Sequence, residues 1–555
     1  MATLIPQYDL KDGTLIPSGA VNRPINKKLQ ETISIKDFGA VCDGITDDTV
    51  AVQNAINFAE NTSKAVLFEG TTVLVGSLSL PSNTILELGT TTLKLKNATN
   101  LPLLINSSIN YTAGTYGNTN IQINNGTLDF NGANQSDTNP STGAVAIGVK
   151  FVGVNGLTFN QTTFINSRRY NIFICNCSRI RAYGTEIINN PTIAAVNKDG
   201  WHINGKTDDF YADVIRISYS QDDAVAINAD DVDTGGDMTT ANISGPISNI
   251  RIGTIHCIDS SNALRLLSAN YKISDVNIGS ITGQLAEYAV NVSDYGLGTA
   301  SWYQNINIGN INVDFLPSGY GGTLSLVNIV TNETRNGVQN NISIGSITRN
   351  QADDAGQQRG TVLYTPKRTT LKIGLISEFN CSNTQTVYLV GAKAGTTLEV
   401  ESFERSSSRV DSITGNYGIP VYVDSNVSAT IDSIKIGQIS WDYMRNGVVV
   451  ANASVRELEY NTSSIATYAI PGLDRQILTA ANSVIFRLFW QSTEPNSYLN
   501  STYRYVIGVG CSVEMERPAP LSGATATRPI NALVGDRFYD TTTATSLVWN
   551  GTAWV

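Results

Sequence analysis

Short runs in which apolar and polar residues alternate fill residues 66–465, and one of them recurs as Ile-x-Ile-Gly-x-Ile or a close variant at 250–255, 276–281, 306–311, 342–347, 371–376 and 434–439. Alternation with period two turns one side of a strand toward a core and the other toward water; a helix would repeat its apolar residues every three to four positions. The central glycines Gly253, Gly279, Gly309, Gly345 and Gly374 stand 26, 30, 36 and 29 residues apart. A strand unit that returns at this spacing cannot bury its apolar face alone and buries it by stacking on the next copy, so the pattern predicts a solenoid. The unit shows less regularly at 121–128, 157–164, 180–187 and 214–217. At about 30 residues per coil, the segment predicts an all-β protein with about 13 coils of parallel β-helix.

Residues 33–65 differ. Val50 to Ala59 carries apolar residues at helical spacing and follows Thr46, Asp47 and Asp48, which predicts a short helix with Thr46 as N-cap and two acids at the positive end of its dipole. Such a helix closes the open end of a solenoid, where the first coil leaves apolar side chains and backbone unpaired. Asp43, Asp47 and Asp48 are accordingly read as turn and cap residues. Residues 1–32, polar and punctuated by Pro6, Pro17 and Pro24, read as an extended arm or attachment segment. Past 465 the runs at 486–490 and 503–509 are richer in aromatic residues, which predicts a small C-terminal β domain over 466–520. A tail module follows over 521–555, with Pro518, Pro520 and Pro529 marking the linker.

Composition narrows the partners. Charged residues make up 15% of the chain, the net charge is −10, and no basic run is present, so a nucleic-acid partner is excluded for want of clustered Lys and Arg. The six cysteines, Cys42, Cys175, Cys177, Cys257, Cys381 and Cys511, lack metal-ligand spacing and are read as buried small hydrophobes. No cofactor and no metal is expected; the acidic run Asp230, Asp231 and Asp233 is read as a solvated loop in preference to a calcium site. No membrane partner is expected, because no apolar run approaches the roughly 20 residues a spanning helix needs, and the N-terminus lacks a charged-then-apolar leader. The expected product is soluble in the cytoplasm where it is made and leaves by lysis.

The chemistry concentrates between Asn197 and Asn228. Asp199 and the pair Asp222-Asp223 stand 23 residues apart, about one coil, so stacking sets them about 4.8 Å apart along the axis. Three carboxylates in one patch can keep one acid protonated and another ionised, as glycosidic cleavage by general acid and base requires. Neighbouring strand residues point to opposite faces, so Asp222 and Asp223 can share a cleft only at a strand end or bulge, and that irregularity is predicted.

The blocks Asn197-Lys198-Asp199-Gly200, Gln221-Asp222-Asp223-Ala224 and Asn262-Ala263-Leu264-Arg265 resemble the motifs of polygalacturonase-type glycoside hydrolases. The resemblance implies Asp222 as the acid, Asp199 and Asp223 as the pair holding the attacking water, and Arg265 as a substrate ligand. Two departures argue against galacturonate as substrate. The family's Gly-His-Gly block after the Asp pair is missing, with His256 the only histidine that follows the pair, and Leu266 and Leu267 follow Arg265 where the family places a Lys. Further candidates for sugar contact are Arg169 one coil earlier, Trp201 and His202 after the first carboxylate, His256, and Tyr288.

The opening at 33–44, with 66–70 and 80–83, resembles pectate-lyase-like right-handed β-helices, and 23–26 leading into 35–40 resembles bacteriophage tailspikes. The end, 528–555, is similar to a short tail found on phage tail and spike proteins. These resemblances imply a homotrimeric tailspike depolymerase on the virion, attached through its N-terminus to the phage tail or an adaptor protein, that cuts bacterial capsule or O-antigen polysaccharide internally. A β-eliminating lyase, a non-catalytic adhesin and a site between subunits remain open.

Overall fold

The computed structural model describes residues 31–294 except 61, 63, 194–196, 232–235 and 237; beyond 294 it describes mainly strands and their nearer connections, and before 31 only 7–8 and 23–24. The expected N-terminal arm therefore lies almost wholly outside the described residues, as do Asp233, Cys381 and Cys511. The protein is a right-handed parallel β-helix that divides into two units, 1–285 and 286–555.

In the first unit one ladder runs in parallel from Ile85–Leu95 through Asn118–Asp129, Val154–Asn160, Ser178–Tyr183, Asp208–Ser218 and Ile247–Ser260 to Ile273–Leu285. Its strands alternate buried and open residues, as the sequence pattern predicted. Ile250, Ile252 and Ile255 stack directly on Val276, Ile278 and Ile281, all buried, each contributing about 1.5–3 kcal/mol by leaving water. The repeated glycine follows from the closeness of successive coils: a Cβ on Gly279 would stand 2.4 Å from the carbonyl oxygen of Gly253.

The second ladder of this unit carries the strands designated β1 (Ile147–Val152), β2 (Tyr170–Cys175), β3 (Trp201–Asn204), β4 (Asp223–Asn228) and β5 (Asn262–Leu267). Parity of the register divides them. Ile172, Trp201, Val225 and Leu264 form one inward column, and Ile174, Ile203, Ile227 and Leu266 another. Lys150, Phe173, His202, Ala226 and Arg265 form the column between, on the outward side. On this ladder the outward side is buried too, because the connections fold back over it. Val145, Met238 and Ile243 from two such connections pack on Ile147, Val152, Tyr170, Phe173 and Cys175. Asn176 donates to the carbonyls of Asn110, Thr112 and Thr115 and pins a third.

The capping helix spans Thr49–Glu60 and buries Val52, Ala55, Ile56 and Ala59. Its N-cap is Asp48, not Thr46: the Asp48 carbonyl accepts from Val52 N at 2.9 Å, and its carboxylate accepts from the Val41 and Cys42 amides. Thr46 instead bonds to Asp43 through both its amide and hydroxyl. The four described cysteines are free and buried.

In the second unit the Ile-x-Ile-Gly units again stack in parallel, Ile306 on Ile342, Ile342 on Leu371, and Leu371 on Leu398. The expected boundary at 465 is corrected by the strand pairing. Val484–Phe489 continues one ladder from Ser454–Asn461, and Arg475–Ala480 continues the other from Asn446–Ala451, with Ser512–Glu516 and Tyr503–Ile507 beyond them. The separate small C-terminal sheet is the later one, Leu521–Gly523, Arg537–Asp540 and Thr545–Val548.

Candidate active site

The two acidic blocks meet because β3 and β4 lie on adjacent coils, Trp201 opposite Val225. Gly200 donates its amide to the Asp223 carbonyl at 2.9 Å, and a Cβ at Gly200 would lie 2.4 Å from the Ala224 oxygen, so the Asp199-Gly200 step admits no side chain. Asn171 holds the Asp199 carbonyl through its backbone amide at 3.0 Å and its side-chain amide at 2.9 Å. Ser220 Oγ lies 3.0 Å from both the Lys198 and Asp222 carbonyls and ties the blocks together. Lys198 is fully buried and bonds the carbonyls of Asn190 and Ile193, with burial drawing its ammonium down to about 8.

One carboxylate oxygen each from Asp199, Asp222 and Asp223 lies within 4.8 Å of the others. Asp223 is the first residue of β4 and Asp222 falls in the bend before it, the strand-end irregularity that a shared cleft requires. Asp199 and Asp223 are both 3% exposed, whereas Asp222 is half-buried. Burial pushes Asp223 up to about 7, against the charge of Arg265 and with that of Asp199. Arg265 Nη1 stands 3.9 Å from Asp223 Oδ2, both side chains being enclosed. Such a group of carboxylates is also close enough to draw a cation, but Arg265 and His202 already supply positive charge beside it, which suits acid–base work better.

His202 fills the outward position of β3. Its Nδ1 is 2.5 Å from Asp199 Oδ2 and its Nε2 is 2.7 Å from Asp231 Oδ2, while its ring stacks on Tyr170 at 4.1 Å between centroids. The expected contact of His202 with sugar is therefore corrected, since both ring nitrogens are engaged and the residue is 3% exposed. Trp201 is likewise no sugar platform. It is fully buried and packs edge-on against Phe159 and Phe210 inside the coil, at 5.6 and 5.1 Å. His256 lies on the other ladder, paired with Arg216 and Thr282, with Nδ1 2.9 Å from Thr282 Oγ1, and the structure does not bring it to the carboxylates. Arg169, 8% exposed, stands over the Tyr170 ring and so close to the His202 stack. Tyr288 belongs to the second unit and is half-buried there.

No family model matches the chain. A curated relative, the plasmin and fibronectin-binding protein A of Streptococcus pneumoniae, is 34% identical over 165 residues, which is 26% of this chain and only 22% of that protein's length. Among solved structures, a family 28 exopolygalacturonase of Yersinia enterocolitica is similar in fold, with TM-score 0.49 and 12% identity over 74% of this chain and 78% of that one. The tailspike of Escherichia coli bacteriophage HK620, solved with a pentasaccharide, gives TM-score 0.47 and 12% identity over 92% of this chain and 84% of that one.

The acidic run after β4 proves to be built into the fold. Asp230, 4% exposed, accepts the amides of Ala269, Asn270 and Tyr271 and caps the turn after β5. Asp231, 6% exposed, takes His202 Nε2 and Asn204 Nδ2. The expected solvated loop is thus corrected for these two residues. Earlier on the same ladder, at β1 and the strand before it, a cavity of about 310 Å³ opens among Leu95, Ile105, Phe130, Ile147, Lys150 and Arg168. Among the described residues no helix is long and apolar enough to cross a membrane.

Proposed function

We propose that the protein is a phage tailspike that binds bacterial capsule or O-antigen polysaccharide and cuts it internally by hydrolysis. The observation that supports this most directly is the cluster of Asp199, Asp222 and Asp223 within 4.8 Å on the outer side of a parallel β-helix. Asp222, the member of the three that reaches solvent, donates a proton to the leaving glycosidic oxygen. Asp199 and Asp223 hold and deprotonate the attacking water, and Arg265 and Arg169 grip the sugar beside them. The proposed subunit arrangement is a homotrimer carried on the virion through the N-terminal arm. A second division of labour is favoured by the raised proton affinity of Asp223, which suits that residue to hold the donated proton at neutral pH. Close carboxylates titrate as a group, so the two versions are separated by variants and not by inspection.

The test is reducing-end release from a panel of purified capsular polysaccharides and O-antigens, with Asp222→Asn and Asp199→Asn beside the wild type. Cleavage without ultraviolet absorbance, lost by about 10²–10⁴-fold in both variants, is the expected result. Products that absorb in the ultraviolet would indicate β-elimination. Tight binding of a polymer that is never shortened would make the protein an adhesin, and cleavage unchanged in both variants would move the site elsewhere.

A further inference from the structure

We propose that Asp231 is a positioning residue: it holds the His202 imidazole as a doubly protonated ring, and through that ring keeps the Asp199 carboxylate oriented beside Asp222 and Asp223. The role in catalysis rests on the hydrolase reading above; the protonation of the ring does not.

A neutral imidazole has one N–H and one lone pair. His202 faces carboxylate oxygens through both nitrogens, at 2.5 and 2.7 Å, so a neutral ring would set a lone pair against an anion on one side. The ring cannot swing away, being stacked on Tyr170 and lying at 16° to Phe173, 5.7 Å between centroids. Asp231 is itself fixed by Asn204 Nδ2 at 2.9 Å, and its amide donates to Ser244 Oγ. The other charged groups on this side, among the described residues, are Asp222 and Asp223 at the start of β4, Arg169 over the Tyr170 ring, and Arg265 on β5 and Lys150 on β1, the last two in His202's own column. Burial alone draws an imidazole down, but the hydrogen bonds and charges of Asp199 and Asp231 outweigh it and raise His202 to about 10.

The consequence is an assignment of protons. Asp199 has a cation on one oxygen, while burial and the charge of Asp199 raise the proton affinity of Asp223. Without the Asp231 carboxylate the ring loses its second anionic partner and becomes neutral near neutral pH, and Asp199 loses the cation beside it.

The chain has two histidines, so ¹⁵N-histidine labelling of the full-length protein, with His256→Asn to identify the remaining ring, reads His202 directly. Both ring nitrogens are expected to stay protonated beyond pH 8, and Asp231→Asn to lower the midpoint by about two units, a hundredfold in proton affinity. Asp231→Glu should restore most of it. A ring already neutral at pH 7 in the wild type overturns the inference, whether or not any variant folds. In the cleavage assay, Asp231→Asn should lower kcat about tenfold or more with KM little changed and move the acidic limb upward; an equal loss at every pH would mean a merely structural role. A doubly protonated ring in a wild type that cleaves no polymer of the panel would leave the ring's charge standing and overturn its catalytic use, whereas a neutral ring in an active enzyme would overturn this inference alone.

Discussion

Replacing Arg265 with Met tests the electrostatic design of the cluster. The guanidinium lies 3.9 Å from the Asp223 carboxylate with both side chains enclosed, so little water screens the pair. Coulomb's law at that distance, with an effective dielectric constant of about 20, gives about 4 kcal/mol of attraction. That corresponds to about three pK units. Arg265 opposes the burial that already holds Asp223 at about 7, so its loss carries the carboxyl upward by as much as three units. Methionine keeps most of the buried volume, which confines the change to charge and hydrogen bonding.

If Asp223 acts as part of the base, its ionised fraction at pH 7 falls from about half to about one in a thousand, and kcat/KM falls by two to three orders of magnitude. Activity should return as the pH is raised toward 9 or 10. The assay is reducing-end release as a function of pH on the polymer that the wild type cuts. If Asp223 is instead the proton donor, activity at pH 7 survives and the alkaline limb moves outward. An acidic limb and an alkaline limb that both stay put would refute the reasoning, and a loss uniform in pH with raised KM would reduce Arg265 to a sugar ligand.

Trp201→Ala removes a fully buried indole held edge-on by two phenyl rings and should cost about 3–5 kcal/mol, seen as a lower denaturation midpoint, with KM unchanged in whatever folds; unchanged stability with a raised KM would return the ring to the sugar. Gly279→Ala forces a Cβ to 2.4 Å from the Gly253 carbonyl and should lower the thermal midpoint although alanine is otherwise tolerated in a strand; an unmoved midpoint would show that the coils can separate without loss. His202 binds its proton more tightly folded than unfolded, so its contribution to stability is whole below about pH 6.5 and disappears as pH rises through about 10. The melting temperature should therefore fall across that window, and less steeply in His202→Phe, measured by calorimetry at matched ionic strength.

The coil register was legible because it is written locally. Each Ile-x-Ile-Gly unit carries its own parity, and its glycine marks where one backbone approaches the next. The meeting of Asp199 with Asp222 and Asp223 was legible for the same reason, a single short coil with Trp201 opposite Val225. The parity that places Trp201 inside was equally present, since Trp201 and Ile203 alternate with His202 and Asn204 just as Leu264 and Leu266 flank Arg265. Adjacency to a carboxylate suggested a sugar platform, but in a strand the next residue but one is the better guide to facing. The break expected at 465 failed differently: aromatic residues replace aliphatic ones while the hydrogen-bonded ladder continues, and composition carries no record of pairing.

Asp231 had no such local signature. Its meaning depends on a chain excursion after β4 that returns to β5 only at Asn262, and on the register that puts His202 within its reach. Along this ladder the register step is 24 residues from Trp201 to Val225 and 39 from Val225 to Leu264. The short coil leaves no room for an insertion and stacks the acidic blocks directly. The long one supplies an insertion that roofs the outward face and delivers a second carboxylate to the far side of the imidazole. A solenoid fixes the stacked residues by repetition, so its capacity to tune them lies in unequal connections. That is where sequence periodicity ends, and where changes in proton affinity at constant fold are to be sought.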